Sequence, residues 1–184
     1  MVRVFIAVEL SEEQRENLES LKKKIRSTGA NIKFVEKENL HVTMLFLGEI
    51  SENDLKTVEE ECVKAVEGLS PFGLSLHGVS AFPGEQYIKI VWAGVKDGAE
   101  DLVKIKENLD KNVSIGMKDM RKFAPHITIG RVRDVEDKKK FLSLLDKFKK
   151  TEFGKTLVKG IKVKKSTLTP EGPVYEDVCS INLS

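Results

Sequence analysis

The sequence predicts an α+β fold with largely antiparallel sheets. Three observations predict it. Strands and helices alternate irregularly, several strand-like runs are linked as hairpins, and no glycine-rich nucleotide loop follows the first strand. At 184 residues, 40% of them hydrophobic, the chain fits a single domain over 1–184, or one built from two similar lobes.

Each element has its own signal. Val2 to Val8 is β-branched and alternating, which predicts a strand. "SEEQ" then forms a capping box, with Ser11 as N-cap and Gln14 three places on. Leu18, Leu21 and Ile25 recur at helical spacing, and Gly29 ends that helix. "IKFV" and "LHVTMLFL" read as strands, the second closed by Gly48. Ser51 to Asp54 opens another helix that carries Leu55, Val58, Cys62 and Val66 on one face, so Cys62 is expected in the core. "FGLSLHGVSAF" from Phe72 and "YIKIVWAGV" from Tyr87 form a strand pair through the turn signal "PGEQ". A helix from about Gly98 to Asn112 follows. In "KFAPHITIGRV", Pro125 biases Ala124 toward extended geometry and suits a strand start. Val135 to Lys150 is an amphipathic helix with Phe141, Leu144, Leu145 and Phe148. "LVKGIKVKKSTLT" and "YEDVCSINL" complete the pattern as strands.

Composition narrows the function. A net charge of +2 does not mark a bulk nucleic-acid binder, so attraction to RNA would depend on local placement of Lys and Arg. The run Lys162 to Lys165 reads by itself as a solvated face. Lysine greatly exceeds arginine and glutamine is confined to Gln14 and Gln86, a pattern associated with heat-adapted proteins. Cys62 and Cys179 lie far apart with no CxxC spacing, which suits a reducing cytoplasm. "MVRVFIAVEL" is interrupted too soon by Glu9 to be a signal or membrane segment, and no other run reaches membrane length. The expectation is a cytoplasmic protein with no membrane partner.

The chemistry centres on two short stretches, "HVTMLFLG" from His41 and "HITIGR" from His126. Two of only three histidines carry a threonine two places on, inside apolar runs. Residues i and i+2 of a strand share a face, so each triplet presents an imidazole and a hydroxyl side by side. In-line attack on a phosphodiester needs a base for the nucleophile and an acid for the leaving oxygen. Two imidazoles can hold those complementary states near neutrality. The hydroxyls of Thr43 and Thr128 can donate to the non-bridging oxygens. This chemistry requires no metal and no cofactor.

Plainer readings compete with it. Both histidines could be buried and satisfied locally. A Cys₂His₂ zinc set from His41, His126, Cys62 and Cys179 fits no short spacing motif. A serine triad lacks its Gly-x-Ser-x-Gly elbow. His77 in "LSLHGV" has no threonine partner and reads as a half-exposed strand residue, and Trp92 reads as core. Phe46 and Phe82 are weaker candidates for ligand contact.

The paired His-x-Thr strands resemble the two-histidine (2H) phosphoesterase superfamily. More narrowly, the chain is similar to the archaeal and bacterial RNA 2′,3′-cyclic phosphodiesterases, also called 2′-5′ RNA ligases. "RVFIAVEL", "NLHVTMLFLGE", "FP" at Phe82, "IVWAGV", "KFAPHITIGR" and "STLTPEGPVYE" carry the resemblance nearly end to end. It implies a bilobal fold, two related halves whose antiparallel sheets line a central cleft with helices outside. It implies hydrolysis of a terminal 2′,3′-cyclic phosphate to a 2′-phosphate, with His126 as base, His41 as acid, and Thr43 and Thr128 on the phosphate. The substrate would be RNA with such an end, for example transfer-RNA fragments, or a small cyclic nucleotide, and the protein a monomer. The reverse 2′-5′ ligation would need no ATP.

Within the same superfamily, trimming of oligouridylate tails or cleavage of 2′-5′ oligoadenylate are the sister activities. A non-catalytic nucleotide-binding module is the alternative outside enzymes. Relatives often place a lysine where this chain has Leu45, and strand parity puts position 45 beside His41 and Thr43. Arg131 matches the arginine after the second motif, although parity puts it on the face opposite His126 unless the strand bulges after Gly130. Tyr175 is a candidate wall residue of the site.

Overall fold

A computed structural model of the chain describes residues 1–84, 86–117 and 122–184. The nine described strands form one curled sheet: β1 (Val2–Glu9), β2 (Asn31–Phe34), β3 (His41–Ile50), β4 (Phe72–Pro83), β5 (Ile88–Val95), β6 (His126–Asp134), β7 (Glu152–Val158), β8 (Gly160–Leu168) and β9 (Pro173–Asn182). The described helices are α1 (Glu12–Arg26), α2 (Leu55–Val66), α3 (Ala99–Asn112) and α4 (Lys138–Lys147). Every described strand pairing is antiparallel, as the sequence predicts.

The strand order is β7-β4-β5-β6-β3-β1-β8-β9, with β2 added to β6 off this path. It divides at the β6–β3 seam into two four-stranded halves. In chain order each half has a strand, a helix, a His-x-Thr strand and a helix: β1-α1-β3-α2 in one, where β2 intervenes between α1 and β3, and β5-α3-β6-α4 in the other. The spatial halves are not the two halves of the sequence. Strands β4 to β7 form one continuous unit, whereas its counterpart is assembled from β1 and β3 plus β8 and β9.

Local signals account for most boundaries. Ser11 caps α1 with the reciprocal bonds of a capping box, accepting from the Gln14 amide while the Gln14 side chain accepts from Ser11 N. Gly29 follows in the left-handed conformation. Leu18, Leu21 and Ile25 of α1 join Val58 and Cys62 of α2 and Leu102, Ile105 and Leu109 of α3 in a core with Val4, Ile6 and Val8. Cys62 is fully buried there, as expected.

Four expectations change. Gly48 does not close β3, which continues to Ile50 with Gly48 at φ +77°. The helix expected from Val135 starts later, capped by Asp137. The final stretch contains a separate strand, β7, that alternation alone does not reveal because Gly154 (φ +100°) interrupts it. Ser51 caps a short 3₁₀ turn, Glu52–Asp54, that precedes α2 rather than forming part of it. In the "PGEQ" turn, position 85 lies outside the described residues.

Candidate active site

The two His-x-Thr strands meet at the centre of the sheet. β3 and β6 pair at Val42 and Ile127, both fully buried on the helix-covered face. Continuing that antiparallel register sets His41 across from Thr128 and Thr43 across from His126, all on the opposite, open face. The two histidines are then diagonal neighbours, about 7–8 Å apart at the backbone in ideal geometry. Among the described residues that is the one bridged pair between β3 and β6, so the two halves of the sheet meet at the His-x-Thr motifs.

Both imidazoles are anchored alike. His41 Nδ1 lies 2.7 Å from the Asn39 carbonyl, and His126 Nδ1 lies 2.8 Å from the Ala124 carbonyl. A carbonyl only accepts, so each Nδ1 carries the hydrogen and each Nε2 is the nitrogen that exchanges protons. His41 Nε2 is 2.8 Å from Thr43 Oγ1. In the neutral ring that nitrogen accepts from the hydroxyl; in the charged ring it donates to it.

The environments of the two rings differ. His41 stacks on Phe5 (5.0 Å between ring centres) and meets the edge of Tyr175 at 5.7 Å. Phe5 and Tyr175 pack edge-on at 4.8 Å, and Phe5 is only 4% exposed. Burial pushes the His41 imidazolium below its usual range, against the Asn39 carbonyl and Glu9, which favour the charge. His126 is exposed and meets Trp92 edge-on at 6.2 Å.

Beside this nest runs an ion-pair relay. Lys164 is 8% exposed, and its Nζ is 2.6 Å from Glu9 and 2.7 Å from Asp177. Glu9 also pairs with Arg15, and Asp177 with Lys162. Burial opposes the Lys164 charge, but the bonds to Asp177 and Glu9 outweigh it and hold its pKa above the usual lysine value. Tyr175 is raised by burial, with Arg3 and Arg131 pulling the other way.

A bulge follows each threonine. On β3, Thr43 pairs with Ala7 but Leu45 pairs with Ile6, so one extra residue enters at Met44. On β6, Thr128 pairs with Trp92 but Gly130 pairs with Val91, so the extra residue is Ile129. Each bulge reverses strand parity beyond it. Position 45 therefore faces the core, where Leu45 is 5% exposed, and the inference that a basic group is missing from the cleft at that position is corrected. Residues five places after each histidine take the cleft side instead, Phe46 in one half and Arg131 in the other. The expected displacement of Arg131 to the far face is thereby also corrected.

The sequence reading missed Trp92, Phe5 and Arg3. Trp92 sits across from Thr128, on the cleft side rather than in the core. Arg3, Phe5, Ala7 and Glu9 alternate with the buried Val2, Val4, Ile6 and Val8. The polar ends of that series were the available signal that its middle, Phe5, faces the site. The Arg3 guanidinium lies over the Phe46 ring at 4.9 Å. His77 is half-buried on β4, as expected. Among the described residues no cluster of three or more His, Cys, Asp or Glu could hold a metal ion. No described helix is long and apolar enough to cross a membrane.

The family model for LigT-like phosphoesterases matches residues 8–92 and 94–175. A protein of Methanocaldococcus jannaschii named RNA 2′,3′-cyclic phosphodiesterase is 38% identical over 176 residues, covering 95% of this chain and 97% of that relative. One of the same name from Methanothermobacter thermautotrophicus is 35% identical over 178 residues, covering 96% of each. Among solved structures, TT0787 of Thermus thermophilus superposes with a TM-score of 0.80 at 29% identity, covering 98% of this chain and 97% of that one. LigT of E. coli, solved with 3′-AMP, shares the fold at a TM-score of 0.75 and 22% identity, covering 100% of this chain and 98% of its own.

Proposed function

This chain belongs to the LigT-like phosphoesterase family, and from that premise we propose that it is an RNA 2′,3′-cyclic phosphodiesterase working through His41, Thr43, His126 and Thr128. One observation carries the assignment of residues. Two imidazoles hold their Nδ1 hydrogens on backbone carbonyls and offer Nε2 to one open sheet face, each with a threonine hydroxyl two residues on. A structural histidine needs no such duplication.

In the proposed reaction His126 Nε2, open to solvent, takes a proton from a water molecule as its oxygen bonds to phosphorus. The bond from phosphorus to the 3′ oxygen breaks, and His41 Nε2–H gives that oxygen its proton. The product is a 2′-phosphomonoester with a free 3′-hydroxyl. Thr43 and Thr128 donate to the non-bridging oxygens as charge gathers on them. Burial keeps His41 neutral in the empty cleft near pH 7, and the anionic substrate supplies the charge that lets it hold the proton it must deliver. A 5′-hydroxyl in place of water gives a 2′-5′ phosphodiester by the same steps. The cyclic phosphate supplies the driving force and no nucleotide triphosphate enters.

The substrate is an RNA end such as a transfer-RNA fragment, and the chain acts as a monomer. The free thiols of Cys62 and Cys179 support a reducing compartment such as the cytoplasm. Phosphorus NMR of a cyclic-phosphate oligonucleotide during turnover tests the reading. The cyclic resonance should convert to a 2′-monoester, with EDTA present. A 3′-monoester, or no conversion by a folded protein, would overturn it.

A further inference from the structure

The two halves of the cleft match at the catalytic level but not one nucleotide further out. In the half built from β1, β3 and β8, the row beyond the motif is filled, with half-buried Phe46 under the Arg3 guanidinium. Phe5 lies opposite Phe46 and Lys164, but it is buried under Tyr175 and His41, and Lys164 is consumed by Glu9 and Asp177. The equivalent row of the other half is open. Phe82 pairs with Ile90, Ile90 with Arg131, and Arg131 with Lys33. Directly paired residues share a face, and the bulge at Ile129 turns that face into the cleft. Phe82 is 59% exposed, and Arg131 and Lys33 are exposed. The row exists because β2 adds a further strand at this level, beside β6 beyond its one bridged pair with β3. Among the described residues the opposite half has no such strand.

We propose that this row, with Phe82 and Lys33 at its two ends, is a subsite for the RNA strand leading into the cyclic end. The inference rests on the activity proposed above. A 2′,3′-cyclic phosphate occupies both ribose hydroxyls of the last nucleotide, so the polymer can continue only through that nucleotide's 5′ oxygen. One half of the cleft closes around His41, and the strand leaves over the other. Arg131 lies three residues beyond Thr128, about 7–10 Å along a bulged strand, which is one nucleotide step from the reacting phosphate. The chemistry fits single-stranded RNA: an exposed aromatic ring on which a base can stack, and two adjacent cations to follow the phosphates. The modest net charge of +2 fits as well, because the attraction is confined to one row.

The experiment compares kcat/KM on a 2′,3′-cyclic mononucleotide with that on a tetranucleotide ending in the same cyclic nucleotide. It also measures binding of the tetranucleotide that ends in a 2′-phosphate. Wild type should prefer the tetranucleotide. Phe82→Ala and Lys33→Ala should each lower that preference on the order of tenfold. Lys33→Ala should also flatten the salt dependence of tetranucleotide binding by about 0.7 in log–log slope, the loss of one single-strand phosphate contact. Both side chains are exposed, so both variants should fold. Turnover with the preference unmoved would overturn the subsite and leave the hydrolase reading intact. Tetranucleotide binding that depends on Phe82 and Lys33, with no cyclic phosphate ever opened, would overturn the hydrolase reading and keep the row. Neither turnover nor such dependence would overturn both.

Discussion

Replacing Thr43 by valine isolates one hydroxyl while keeping the shape of the side chain. Thr43 is exposed on the cleft face, so the change should leave stability within about 0.5 kcal/mol of wild type. Its effect should be on the reaction. In the empty site the hydroxyl donates to His41 Nε2 across 2.8 Å, because Nδ1 is committed to the Asn39 carbonyl. In the proposed reaction the protonated Nε2–H turns to the leaving 3′ oxygen, and the hydroxyl hydrogen is released toward the phosphate. Valine removes the hydroxyl's bond to the phosphate at the moment charge accumulates. A hydrogen bond to a charged group contributes about 1.5–3 kcal/mol, which is roughly a 10- to 150-fold loss in kcat. KM for a cyclic mononucleotide should change much less, since the bond strengthens in the transition state. Steady-state kinetics at neutral pH, with a thermal melt as the folding control, is sufficient. A folded Thr43→Val enzyme within twofold of wild-type kcat would refute the coupling of this hydroxyl to the chemistry. Thr128→Val should match it in size, and the double variant should fall short of the product of the two losses, because in the proposed reaction both hydroxyls donate to one phosphate.

His41→Asn and His126→Asn should each reduce turnover by about 10²-fold or more, and a chelator should leave the wild-type rate unchanged. His41 refuses a proton in the fold that it accepts in the unfolded chain, so stability should decline as pH falls below about 6.5 and continue declining to the depressed folded value. Urea midpoints between pH 7 and 5 should show that decline, and His41→Asn should flatten it. Burial pushes the Cys62 thiol up to about 12 and Cys179 to about 11, so neither should alkylate appreciably at pH 8 until the protein unfolds. A methyl group at Gly130 would stand 2.6 Å from the Ile32 Cγ2, so Gly130→Ala should force β2 away from β6 and cost about 1–3 kcal/mol in a melt.

The pairing of His41 with Thr43 and of His126 with Thr128 was legible because it depends only on the two-residue period of a strand. The antiparallel α+β class was legible for a similar reason, from turns and amphipathic helices whose signals are local. What lay beyond each threonine was not. Met44 and Ile129 look like any other apolar strand residues, and nothing in them announces a bulge. The extra residue is defined by the partner strands β1 and β5, which are remote in sequence. Two-residue periodicity alone therefore puts Leu45 and Arg131 on the wrong faces, although it puts each histidine and its threonine on one face. Trp92 was lost differently. An indole within "IVWAGV" resembles core, and only its register with Thr128 turns it toward the cleft.

The way one half of the sheet is inserted within the other bears on how the molecule is made. A ribosome that has released β1 and β3 has exposed two members of a four-stranded unit whose other two emerge more than a hundred residues later. At cellular elongation rates that is a wait of roughly ten seconds. In that interval the inserted unit from β4 to β7 can complete itself, and α1 gains its seat when Gln14 and Asn17 reach the carbonyls of Gly154 and Phe153. Lys164, Tyr175 and Asp177 arrive last among the groups around His41, so the nascent chain acquires its aromatic and ionic surround only as synthesis closes.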